Sequence, residues 1–409
     1  MGSKVQLGEV YPFIYGKGLP ENKRANTGAI PVYGSSGVVG YHDEALIKGP
    51  AVIIGRKGTV GALNLCISPC WPIDTTFYVE FNRIDEAQFC YYMLSTLGLQ
   101  HMNSDSAVPG LNRNAAHALS IDLPDEMTRK AIASILGSLD DKIELNRQIN
   151  EKLEAIAKAL YKSWFTDFDP VKAKAEGRDT GLPEHISSLF PASFVDSELG
   201  QIPKGWRVGS LTEIASVISG GTPKTRKTEY WGEEIPWFSM VDYPSKGQVF
   251  ILRTEKKITH EGLLNSAAQL VDSGAIILSA RGTVGKFAVA AIPMTFNQSC
   301  YALQSISPSY GSPFLYFSLG RVIDLLKAYS HGSVFSTITR DTLSVVRTGI
   351  PDERLALAFT NRTEDYFQKI LTNSKQNIVL QGLRDILLPK LISCELPIPA
   401  AERIVGRYL

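Results

Sequence analysis

The chain has 409 residues, 44% hydrophobic and 20% charged, with 42 Lys and Arg against 41 Asp and Glu for a formal net charge of +1. This is the composition of an ordinary globular protein with room for two or three domains, and it excludes a strongly basic chain, so any nucleic-acid contact must rest on local loops. No run of about 18 apolar residues occurs, and the N-terminus carries no basic segment followed by an apolar core, which leads to the expectation of a cytoplasmic location. Cys66, Cys70, Cys90, Cys300 and Cys394 are scattered without paired spacing or flanking histidines and read as reduced packing residues.

In chain order, the first predicted unit, 1–125, opens with Leu7, Val10 and Gly16 and passes through Ile30-Pro31. Its apolar, β-branched run Ala51-Val52-Ile53-Ile54 reads as a strand that enters a glycine turn, Lys57-Gly58-Thr59-Val60-Gly61. A long helix is expected over 126–166, with apolar residues at Ile132, Leu136, Leu139, Ile143, Leu153, Ile156 and Leu160 in the alternating three-and-four spacing of a coiled-coil seam. At about 40 residues such a helix spans about 60 Å, which suits a spacer. The segment 167–203, interrupted by Pro170, Pro183, Pro191 and Pro203, is a connector that no continuous helix crosses.

The second unit, 204–350, repeats the first. Leu211, Ile214 and Gly220 answer Leu7, Val10 and Gly16 at an offset of 204 (211 − 7), and Ile235-Pro236 answers Ile30-Pro31. Ala275-Ile276-Ile277-Leu278 and Arg281-Gly282-Thr283-Val284-Gly285 answer the strand and turn at an offset of 224 (281 − 57), so an insertion lies between Phe238 and Gly274, where Pro244, Gly247 and Gly262 predict loop. Ser106, Leu111, Arg113 and Pro124-Asp125-Glu126 then match Ser333, Ile338, Arg340 and Pro351-Asp352-Glu353 at a constant 227 (340 − 113), the mark of an internal duplication.

A second long helix is expected over 351–395, with Phe359, Tyr366, Ile370, Leu380, Leu383 and Leu387 in its seam and Pro389 at its end, followed by a tail, 396–409. Asn146 and Asn150 coincide with Asn373 and Asn377 at the offset of 227. A buried Asn in a seam fixes register at some cost in stability. In an antiparallel pair Asn146 is expected to face Asn377 and Asn150 to face Asn373, so that these amides set the separation of the two units.

Recognisable catalytic patterns are incomplete. Ala280 to Lys286 superficially matches a phosphate-binding loop, but Phe287 stands where Ser or Thr would hold magnesium. Asp169-Pro170-Val171 matches only part of the Asp/Asn-Pro-Pro-aromatic loop of amino-methyltransferases, and neither a Ser-His-Asp nor a paired-carboxylate arrangement is visible. No catalytic residue, cofactor or metal is therefore assigned. What remains is a set of loops at matching places, whose Arg and Lys suit phosphate or guanine and whose Asn and Gln suit adenine. In the first unit these are Lys17, Lys23, Arg24, Tyr33, Ser35, Ser36, Arg56, Lys57, Thr59, Asn112 and Arg113. Their counterparts in the second are Lys224, Thr225, Arg226 and Lys227, then Arg281, Thr283 and Lys286, then Asn297 and Gln298, and finally Ser333, Ser336, Thr339 and Arg340.

Three runs in the first unit are distinctive: Ile30 to Gly37, Gly55 to Gly61, and Trp71-Pro72-Ile73-Asp74-Thr75. With the connector Trp164 to Val171, its continuation Ser197 to Trp206, and Ile235-Pro236-Trp237, Arg281 to Gly285 and Asn297-Gln298 of the second unit, the chain resembles the S subunits of type I restriction-modification enzymes over nearly its whole length. The resemblance implies an α+β fold of two similar mixed α/β target recognition domains separated by two long antiparallel helices, a pseudo-twofold internal repeat. It implies a non-catalytic specificity subunit that reads an interrupted, bipartite site in double-stranded DNA. The implied partners are two methyltransferase (M) subunits docked on the helices, which carry the S-adenosylmethionine chemistry, and restriction/translocase (R) subunits that join through the complex. One departure is that the first unit starts at Lys4-Val5-Gln6-Leu7 without the lead-in that Gly205-Trp206 gives the second.

Overall fold

The computed structural model describes residues 3–102, 110–245, 247–329 and 337–409. Strand Ala51–Gly55 lies inside an antiparallel sheet ordered Ile14–Tyr15, Thr76–Glu80, Ala51–Gly55, Leu63–Cys66. Val52 and Ile54 enter the core beneath helix Ile84–Ser95, whereas Ala51 and Ile53 enter a smaller one with Ile47, Cys66 and Cys70. Burial on both faces explains why the run is apolar throughout instead of alternating. A smaller sheet, Gly37–His42, Ile30–Gly34 and Trp71–Pro72, stands beside it, and Ser3–Gln6 pairs antiparallel with Ser120–Leu123.

The second copy keeps this order: Ala215–Ser219, Cys300–Ser305, Ile276–Ser279, Phe287–Ala290. Ile276 and Leu278 enter one core, Ala275 and Ile277 another. The insertion is structured, contrary to the loop expected from its Pro and Gly. Its buried Phe250–Ile251 adds an edge strand parallel to Phe287–Ala290, Lys256–Ile258 pairs with Trp231–Phe238, and the Thr259 hydroxyl caps helix His260–Leu264. One ladder position shows how the copies diverge. Val32 pairs with Trp71 in the first and Trp237 with Thr295 in the second, yet each indole donates to an equivalent backbone carbonyl, that of Lys17 or Gly221, at 2.9 Å.

Two 40-residue helices, Glu126–Phe165 and Glu353–Ile392, complete the fold. The chain divides into two compact units, residues 1–144 with 378–409 and residues 145–377, so each unit contains part of each helix. In the first, Ile132, Leu136 and Leu139 share a core with Leu380, Leu387 and Leu391, with Leu7 and Phe89, and with Ala401 and Val405 of helix Ile398–Val405. The segment expected to be a tail thus contributes a packed helix. In the second, Ala157, Tyr161 and Trp164 share a core with Phe359, Phe367 and Ile370.

The seam differs from the expected one in detail. Ile156 is 52% exposed and Ala157 is buried, and Phe367 occupies the inner place expected of Tyr366. A straight helix turns every 3.6 residues, so a strict heptad drifts by one position over this length. Pro389 lies within the second helix, not at its end. In the last turn its missing N–H removes one bond, and its carbonyl still accepts from Ser393 N at 3.0 Å.

Within the second unit the helices run antiparallel through four buried asparagines. Asn146 Nδ2 donates to Asn377 Oδ1 and to Gln376 Oε1, both at 2.9 Å, and Asn373 Nδ2 donates to Asn150 Oδ1 at 2.9 Å. Asn150 Nδ2 reaches Ser374 Oγ at 3.3 Å. Replacing Asn146 by Ala removes both bonds it donates from a buried position and is expected to cost about 1–3 kcal/mol. In denaturant melts, Asn146→Ala with Asn377→Ala should cost clearly less than the sum of the two single changes; strict additivity would mean that the pair is not coupled.

The connector is clamped by aromatic rings. Trp164 meets Phe190 edge-on at 5.2 Å, and Trp206 lies 5.9 Å from Phe165 and 5.4 Å from Phe168. Pro170 sits in the first turn of helix Asp169–Ala175, where its lost N–H has no helical acceptor to miss. Removing the buried Trp164 ring as Trp164→Ala should destabilise the second unit by about 3–5 kcal/mol, measured as a shift of its thermal transition.

Candidate nucleic-acid interface

In the first unit, strand Ala51–Gly55 enters a turn in which Gly58 and Gly61 have φ of 80° and 71°. A side chain at Gly61 would fall 2.4 Å from the Gln100 backbone nitrogen, so glycine is required there by both conformation and space. Arg56 N and Lys57 N donate to the Thr75 carbonyl at 2.9 and 3.1 Å, and Ser35 Oγ donates to the same oxygen at 2.6 Å. Leu111 N donates to the Arg56 carbonyl at 2.9 Å, beside a bridge between Lys57 and Gly110. Loops from four parts of the chain are joined here by backbone hydrogen bonds and the Ser35 hydroxyl.

The second unit is joined in the same way. Ala280 N donates to the Ser299 carbonyl and Ile338 N to the Ala280 carbonyl, both at 2.9 Å, and Arg281 bridges Thr337. Gly282 and Gly285 have φ of 79° and 84°. Asn112 caps helix Arg113–His117 through Ala115 N, and Thr339 caps helix Arg340–Val345 through Thr342 N. The turn Arg281 to Lys286 leads into a strand, Phe287–Ala290, whereas a phosphate loop leads into a helix.

The joined loops gather Arg56, Lys57, Thr59, Asn112 and Arg113 in the first unit and Arg281, Thr283, Lys286, Thr339 and Arg340 in the second. Lys17 lies alongside, its ammonium 5.9 Å from the Trp71 ring. Other expected contacts are engaged within the fold. Arg24 donates Nε to the Leu19 carbonyl at 2.9 Å and so fastens its own loop. Ser35 is buried in the carbonyl bond above, and Tyr33 packs against the core of Cys66 and Cys70, where burial and then the Cys66 thiol push its hydroxyl pKa up.

The Gln298 carbonyl oxygen accepts from the Thr222 hydroxyl, and Asn297 Oδ1 accepts from Ser299 N at 3.0 Å. Lys227 is paired with Glu229 at 3.4 Å and lies 4.9 Å from the Tyr230 ring. Lys23, Ser36, Lys224, Thr225 and Arg226 are exposed or nearly so, outside the joined loops. Ser106, Ser333 and Ser336 lie outside the described residues.

Sequence reasoning missed Tyr15, a half-exposed ring with the guanidinium groups of both Arg56 and Arg113 over it, and Asp74, whose carbonyl accepts from Arg56 Nε at 3.1 Å. Tyr15 precedes Gly16, one of the residues aligned between the copies, which is the only trace the sequence carries. Among the described residues, no cluster of three His, Cys, Asp or Glu is placed to hold a metal ion, and no helix is long and apolar enough to cross a membrane.

Helix Arg113–His117 is tied down by His117 Nε2, which accepts from Phe13 N at 2.9 Å and must therefore be unprotonated. Burial, and secondarily the Arg113 cation, lower the His117 pKa from its ordinary value of 6.5. The folded chain thus binds this proton less readily than the unfolded chain, and the contribution is complete above pH 6.5 and lost as pH falls through the lowered value. Stability measured by denaturant at pH 7.5 and pH 5.5 should fall less in His117→Gln, whose amide can accept without titrating, than in the unaltered chain; equal losses would show that His117 does not carry this dependence.

The described residues thus form a duplicated sheet unit with joined basic loops, carried on long antiparallel helices, the architecture of a double recognition module. The family model for the type I restriction modification DNA specificity domain matches residues 3–155 and again 203–353, and the chain belongs to that family, the specificity subunits of type I restriction-modification systems. Similar proteins include the HindI specificity subunit of Haemophilus influenzae, 30% identical over 70% of this chain and 71% of that one. The MjaIX specificity subunit of Methanocaldococcus jannaschii is 32% identical over 48% of this chain and 46% of that one. The crystal structure of the S subunit from M. genitalium has the same fold, with a TM-score of 0.59 at 15% identity over 96% of both chains.

Proposed function

We propose that this chain is the non-catalytic, DNA-reading subunit of a type I restriction-modification complex, in which domains 1–125 and 204–350 each read one half of an interrupted site in double-stranded DNA. The observation that carries the reading is the repeated loop junction: the same backbone bonds hold the Arg56 turn and the Arg281 turn, and basic side chains stand on both. Glycines at positive φ let such turns approach a phosphate closely, and the arginines supply the paired donors that distinguish guanine. The two long helices are the docking surface for two methyltransferase subunits, through which the restriction subunits join. Methyl transfer, DNA cleavage and ATP hydrolysis belong to those partners, so the purified chain alone should turn over none of these substrates.

Selection of duplexes from a randomised pool at moderate, stated salt, with and without a methyltransferase subunit, tests this reading, and a two-part motif is expected. Arg56→Ala or Lys57→Ala should relax one half and Arg281→Ala the other, each by about 1–3 kcal/mol at a base contact, whereas a phosphate contact weakens all sequences alike. Unchanged motifs in all three variants would remove these loops from the interface. Methyl transfer by the chain alone would refute its non-catalytic role.

A further inference from the structure

The two arginines on the loop face of the first unit are not independent of each other. Tyr15, 50% exposed, is backed by the Phe77 ring at 4.9 Å. Over its ring centre stand the guanidinium carbons of Arg56 at 5.3 Å and Arg113 at 5.0 Å, both at cation–π distance. Two cations sharing one neighbour repel, and the electron-rich ring they share offsets that repulsion while holding both side chains.

Arg56 is also held edge-on, because its Nε donates to the Asp74 carbonyl at 3.1 Å. Its two terminal nitrogens have no hydrogen-bond or ion-pair partner among the described residues. An arginine gripped by its face and its Nε, with the terminal fork open, has the geometry of a bidentate contact to O6 and N7 of guanine. Among the described residues of the second unit, no ring carries two cations in this way. Strand pairing places Ser219 where Tyr15 stands, since Tyr15 pairs with Phe77 and Ser219 with Tyr301, and Ala280 occupies the place of Arg56 in the loop junction.

We propose that Tyr15 is a positioning residue that locks Arg56 and Arg113 into a rigid two-armed reader of a guanine-containing step in the half-site of the first unit. This rests on the DNA-reading role above, and it makes the two halves of the chain read by different means. A reader whose side chains are already fixed loses little conformational entropy on binding, so its discrimination depends on the ring that fixes it.

The test is selection from randomised duplexes by the full chain together with a methyltransferase subunit, comparing the unaltered chain with Tyr15→Ala, Tyr15→Phe, Arg56→Ala and Arg113→Ala. Tyr15→Ala should reduce the preference for a guanine in one half-site by about tenfold, leave the other half-site unchanged, and affect the same step as the two arginine variants. Tyr15→Phe, which keeps the ring, should retain the preference. The intact second half-site shows that the variant is folded. An unaltered motif in Tyr15→Ala, a uniform loss of affinity for all sequences, a loss in Tyr15→Phe equal to that in Tyr15→Ala, or arginine variants that relax different steps would each overturn the proposal while DNA reading stands. If the unaltered chain selects no two-part motif, the broader reading fails instead.

Discussion

Four buried side-chain amides constrain the long helices more than any apolar contact does. Asn146, Asn150 and Asn373 are 1% exposed and Asn377 is 5% exposed, so each must find its partners inside the protein. They do so only in one antiparallel register. A slip of one helical turn in either direction would keep one asparagine pair but set the other asparagine of the first helix near Ile370 or Leu380, aliphatic neighbours that offer no donor or acceptor. Aliphatic contacts discriminate poorly between neighbouring registers; the amides discriminate sharply, at the expense of some stability. The same register delivers Leu380 and Leu387 to the core of the first unit and Phe367 and Ile370 to that of the second.

Around this frame the two copies satisfy similar demands with different side chains. The hydroxyl of Tyr92 donates to Asp140 at 2.7 Å, with Arg384 on the other carboxylate oxygen, also at 2.7 Å. Tyr316, its counterpart at the offset of 224, donates instead to Glu154 at 2.8 Å. Both carboxylates come from the first long helix, from different turns, and burial raises the pKa of both tyrosines first of all. As with the exchange between Trp71 and Trp237, it is the polar group to be satisfied that recurs, and the residue that satisfies it varies.

This explains what the sequence disclosed and what it withheld. The duplication, the doubly buried strands and the asparagine pairing are all consequences of periodicity and offset, which a chain displays in one dimension. The placing of Ile156 in the seam failed because a strict heptad was carried along a straight helix: after a drift of one position the inward place falls to Ala157, in the core with Tyr161, Phe314 and Phe317, and Ile156 faces outward. Among the basic and polar loop residues, the type was visible, but not whether each group is spent on its own fold. Arg24 and Ser35 are spent, Arg56 only partly, and that distinction depends on carbonyls 5, 40 and 18 residues away in sequence. An aromatic residue in a strand ordinarily signals core, so nothing in the sequence sets the half-exposed Tyr15 apart.

The Thr75 carbonyl receives three donors, from Arg56, Lys57 and Ser35, although a carbonyl oxygen has only two lone pairs. Three donors thus compete for two acceptor sites, so each bond is weaker than an unshared one, and the loss of any one leaves the other two at full strength. The turn at Arg56, the loop at Thr75 and the hairpin end at Ser35 accordingly stay tied to one oxygen even when a single bond opens.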